Sequence, residues 1–224
     1  MDDILLNEGF RVYYENQGRM NNRCSGYALA AILCEMGILS FCPDKERAQP
    51  LGVTVYEKLC KQQEALLQDE ACTSTRFVNA LPHISNGTRM ILPSSIVHYC
   101  ASLGLQPGLF CSSRRDTIFQ TEVFEEDCRR LPGLVHTLRS YAAFERQARK
   151  HGYLMALTRY KHWVALKFAG TGFYLFDPAP SDLGGGRSGP GGFAEMLPLE
   201  RSVRGVSGKI NYFFELMIGL SCGI

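Results

Sequence analysis

The sequence holds no stretch of 18 consecutive apolar residues, so no helix able to span a bilayer is expected. It has no Cys-x-x-Cys pair, which argues against a structural zinc site, and its nine irregularly spaced cysteines do not make the even framework of a stapled secreted domain. Charge of one sign is not in excess. Twenty-four Lys plus Arg against 22 Asp plus Glu leave +2, without the basic stripe of a nucleic-acid binder. Tryptophan occurs once and histidine five times. The opening residues, MDDILLNEGF, carry acidic groups where a secretory signal needs a basic start and an apolar run.

What is present is enough apolar material for a core: 46% of the 224 residues are hydrophobic, which excludes wholesale disorder. Most cysteines are expected to be small buried hydrophobes in a reducing, cytosolic setting. The nearest approach to a metal cluster, His98 and Cys100 with Cys111, is weak, so neither metal nor cofactor is implied.

The order of elements predicts an α+β domain spanning residues 1–224. After a lead-in with an aromatic patch at 12–14, a helix is expected from Cys24. Ala28, Leu29, Ile32, Leu33 and Met36 recur at helical steps, and Gly37 is placed to end it. A second amphipathic helix is read over 54–70, with Val55, Leu59, Ala65, Leu66 and Leu67 inward. A third covers 94–103, capped by Ser94 or Ser95 and stopped by Gly104. Further helices are expected over 120–131 and 137–150. Strands follow at 154–158, 162–168 and 173–176, with a hairpin turn at Gly170-Thr171-Gly172, and a last strand or short helix at 210–220. Residues 181–192 (SDLGGGRSGPGG) lack the Gly-Lys-Ser/Thr ending of a phosphate loop and read as a mobile surface segment or lid. The Asn86-Gly87-Thr88 sequon carries no weight without a secretory signal.

Three residues combine into a chemistry. Cys24 stands where a polar loop meets an apolar helix, so its sulfur lies near a helix N-terminus, whose free N–H groups and dipole favour an anion. Arg23 adds positive charge beside it, and Gly26 permits close approach of backbone or substrate. His162 opens one strand and Asp177 ends the next. A turn at Gly170-Thr171 pairs residues whose numbers sum to 341, making His162 and Asp177 diagonal neighbours on one face, about 7–8 Å apart at the backbone. Thiolate, imidazole and carboxylate in file are what nucleophilic attack on an amide requires. The oxyanion needs donors: the Cys24 N–H, and a side-chain amide for which Gln17 is first choice, with Asn21 and Asn22 in reserve. Asp182 is an alternative carboxylate in the loose segment.

These residues resemble the papain-like cysteine hydrolases, in which a helix-borne Cys precedes a sheet-borne His and Asp or Asn. The runs Asn22-Arg23-Cys24-Ser25-Gly26-Tyr27-Ala28-Leu29 and His162-Trp163-Val164-Ala165, with Asp177, carry the likeness. Within that clan the pattern looks most like the OspI-type bacterial effector glutamine deamidases. YopT- and AvrPphB-type effector proteases and bacteriocin-processing peptidases share the same logic. The resemblance implies a papain-like fold, Cys24 as nucleophile, His162 as acid/base, Asp177 as orienter and a protein substrate, in the effector case a host protein reached after secretion by a bacterium. A protease of the same fold and a catalytically silent binding module are the competing expectations.

Overall fold

The computed structural model describes residues 10, 12, 13, 15, 17, 23–42, 48–68, 90–112, 127, 131, 133–138, 141–158, 162–169, 172–178, 197–198 and 214–222. The expected Gly-rich segment 181–192, the sequon at 86–88, Asp182, Asn21 and Asn22, and most of the helix read over 120–131 lie outside them. Four helices are described: α1 (Cys24–Glu35), α2 (Leu51–Gln68), α3 (Pro93–Ser102) and α4 (Tyr141–His151). The strands are β1 (Leu105–Ser112), β2 (Val135–Leu138), β3 (Tyr153–Thr158), β4 (Trp163–Ala169), β5 (Gly172–Phe176), β6 (Leu197–Pro198) and β7 (Phe214–Cys222). They form one seven-stranded sheet in the order β2-β1-β7-β3-β4-β5-β6, antiparallel except for the β1–β2 pair. The architecture is α+β.

Helix α1 is the centre of the core. Every residue from Cys24 to Cys34 is buried, because the helix packs against β4 on one side and α2 on the other. The apolar set visible in the sequence marks only one face; the other is made of small residues that let α2 approach. A Cβ on Gly26 would lie 2.3 Å from the Gly52 carbonyl oxygen and 2.5 Å from the Tyr56 Cβ, and one on Gly52 would lie 2.4 Å from the Tyr27 ring. Gly26 therefore serves close helix packing, where the sequence left open a backbone or a substrate as the approaching group. Helix α1 ends as expected, at Gly37 with φ +72°.

Helix α2 begins three residues earlier than the periodicity suggests, directly after Pro50, whose carbonyl accepts from Val53 and Thr54 N–H. Val55 and Leu59 face the core as expected, but Ala65 is exposed and Gln63 is buried in its place. Helix α3 starts at Pro93, and neither Ser94 nor Ser95 is its cap. Instead the buried Asp127 carboxylate accepts from both the Ser94 N–H and the Ser94 hydroxyl, capping the helix from far along the chain. The helix read over 137–150 opens as strand: residues to Leu138 pair in parallel with β1, and α4 begins only at Tyr141.

Strand β1 has no counterpart in the sequence reading. Over Leu105–Gly108 it pairs with β7, and β2 joins only from Leu109, so the proline meets a sheet on one side alone. Of the lead-in, Phe10 and Tyr13 set their rings tilted and edge-on against Phe176, at 5.8 and 5.7 Å between centroids, and Val12 N–H donates to Glu35 at the end of α1.

Candidate active site

The β4–β5 hairpin has the expected register: Ala165 pairs with Phe176, Leu166 with Leu175 and Ala169 with Gly172, each pair summing to 341. His162 immediately precedes β4 and Asp177 immediately follows β5. Continuing that register brings them together, and His162 Nε2 lies 2.7 Å from Asp177 Oδ1. The pair is half-sheltered, with side chains 21% and 12% exposed.

Cys24 is the first residue of α1, with Arg23 as its N-cap and no acidic residue in the first turn. The helix axis runs against β4, so the sulfur meets the start of that strand. The Trp163 backbone N–H donates to Cys24 Sγ at 3.4 Å, which sets the sulfur beside the residue that follows His162. The start of α1, the residue before β4 and the residue after β5 thus bring Cys24, His162 and Asp177 to one place.

Electrostatics favour a charged imidazole. Burial alone lowers the His162 pKa, but the Asp177 hydrogen bond, then the hydrogen bond and charge of Cys24, outweigh it and raise the pKa from 6.5 to about 10. The arrangement can hold a thiolate–imidazolium pair, with a backbone N–H and the α1 N-terminus as further partners of the anion. The Arg23 guanidinium lies 5.9 Å above the Tyr56 ring, a cation–π contact between α1 and α2.

Gln17 is brought to the same end of the sheet. Its backbone N–H donates to the Pro178 carbonyl at 2.9 Å, next to Asp177, and its buried Oε1 has no hydrogen-bond partner among the described residues. Among the described residues no group of three or more His, Cys, Asp or Glu is placed to hold an ion. Cys100 is fully buried, and burial pushes its thiol up to about 12, as befits a small core residue. Cys24, Cys42, Cys100 and Cys222 are free thiols.

Two residues at the site were not singled out from the sequence. Trp163 supplies the N–H to sulfur and anchors its indole on the Ile91 carbonyl at 3.3 Å. Gln63 holds the chain on either side of Ile91. A lone tryptophan following the candidate histidine was the available signal for the first; a glutamine on a helix's inner face was the signal for the second.

Compared with known proteins, this chain matches no family model, no curated protein and no solved structure with significance.

Proposed function

We propose that this protein is a papain-like thiol amidohydrolase acting on a protein substrate. The carrying observation is the file of Cys24, His162 and Asp177, assembled from a helix start and two strand ends across 153 residues of chain (177 − 24). In the reaction, the Cys24 thiolate adds to an amide carbonyl carbon, forming the S–C bond. The His162 imidazolium gives its proton to the departing nitrogen as the C–N bond breaks, leaving a thioester and neutral imidazole. Water then attacks the thioester; the imidazole takes its proton, and carboxylic acid and thiolate are released. Asp177 holds the ring and stabilises its charged form. The Cys24 N–H and the Gln17 side-chain amide are the proposed donors to the oxyanion.

Deamidation of a glutamine side chain is preferred over peptide cleavage on the resemblance around Cys24. The test is incubation of cell lysate with wild type and with Cys24→Ala, read by intact-protein mass. A deamidase converts an amide to an acid and leaves the substrate chain whole; a protease yields two fragments; an amine adduct marks transfer from the same thioester. Identical lysates from the two proteins contradict the proposal and favour a silent binding module.

A further inference from the structure

Behind the file of reacting groups runs a second, largely buried polar chain that ends on the same sulfur. It starts at Gln63, 3% exposed on the inner face of α2. The Gln63 carboxamide accepts from Leu92 N–H at 2.8 Å and from Ser95 Oγ at 3.3 Å, and its Nε2 donates to the Met90 carbonyl at 3.2 Å. These partners fix the amide orientation, since only its oxygen can receive the Leu92 N–H. In extended backbone the carbonyl of one residue and the N–H two residues on point the same way, while the residue between presents its groups oppositely. Clamping Met90 and Leu92 on the α2 side therefore turns the Ile91 carbonyl the other way, where the Trp163 indole N–H donates to it at 3.3 Å. Trp163 is 1% exposed, so this bond has no competition from bulk water. Its backbone N–H, in turn, is the donor to Cys24 Sγ.

We infer that Trp163 is a positioning residue: its indole, tied through Ile91 to Gln63, holds the start of β4 so that the residue-163 N–H and the adjacent His162 ring meet the Cys24 sulfur. A backbone donor cannot be rotated by its own side-chain rotamer, so it is placed only by fixing the strand end. The side chain at 163 does this with a directional bond as well as with volume. Phenylalanine keeps most of the apolar contact but has no N–H, leaving the Ile91 carbonyl buried and unpaired. The inference rests on Cys24 being the nucleophile.

Because Trp163 is the single tryptophan of the chain, a tryptophan analogue enters at this position alone. Benzothienylalanine, with sulfur in place of the indole N–H, keeps the ring shape and removes the donor. The readout is the rate of Cys24 alkylation by iodoacetamide at fixed pH, with Cys24→Ala as the blank, beside steady-state kinetics, and with Trp163→Phe as a second variant. Loss of an anchored donor to the sulfur is expected to slow that alkylation and to lower kcat about threefold or more, with KM little changed. Equal rates for native and analogue-substituted proteins overturn the positioning role while leaving the site reading intact. An unmodified protein in which Cys24 reacts no faster than the exposed Cys42 and Cys222 overturns the site reading itself.

Discussion

His162 Nε2 and Asp177 Oδ1 lie 2.7 Å apart although neither residue belongs to a strand: each sits one position beyond the hairpin whose register brings them together. The carboxylate is therefore fixed to one ring nitrogen. Asp177→Asn keeps a hydrogen-bonding oxygen but removes the charge, whereas His162→Ala removes the proton carrier. In a kinetic assay Asp177→Asn is expected to retain more activity than His162→Ala, which should lose about 10³-fold or more. The reverse ranking would contradict the assigned roles.

The same pair sets a pH dependence of stability. The folded-state pKa of His162 is raised above 6.5, to about 10, so its contribution is complete below about pH 6.5 and is lost as pH rises through 10. The stability gap between wild type and Asp177→Asn is expected to narrow across that window, as measured by urea unfolding at successive pH values.

Cys24 contributes to the charge on His162 by hydrogen bond and by field. Cys24→Ala is expected to abolish turnover, keep the fold, and lower the His162 pKa, which a ring-proton NMR titration reads directly. An unchanged titration would mean that sulfur and imidazole do not interact.

Gly26 and Gly52 let α1 and α2 touch at backbone distance. Because the atoms a Cβ would meet at Gly26 include a carbonyl oxygen, Gly26→Ala must push the helices apart. A loss of about 3 kcal/mol in urea unfolding is expected, with reduced turnover because α1 carries Cys24. Asp127→Ala removes both acceptors at the start of α3 and leaves the Ser94 N–H buried without its partner; about 2 kcal/mol is expected from the same measurement.

Much of this was legible in the chain because local rules decided it. Gly37 and Gly104 stop helices at positive φ, and the β4–β5 pairing from Ala165–Phe176 to Ala169–Gly172 has the register that the sequence predicts and that a one-residue slip would have destroyed. The failures share a cause: the partner was remote in sequence. Ser94 looks like a cap until Asp127 arrives from 33 residues away. Strand β1, absent from the sequence reading, pairs with the remote β7. Gln63 is buried because Met90 and Leu92 close around it. The position of Gln17 similarly depends on Pro178, which no local pattern announces.

The central claim is an activated sulfur at position 24, and competitive alkylation tests it most directly. Cys24 is buried, whereas Cys42 and Cys222 are exposed, so accessibility alone ranks Cys24 behind them. With a limiting amount of iodoacetamide at mildly acidic pH, followed by peptide mapping, Cys24 is predicted to be modified first, and His162→Ala to remove that preference. Modification of Cys42 and Cys222 ahead of Cys24, unchanged by His162→Ala, would contradict the account.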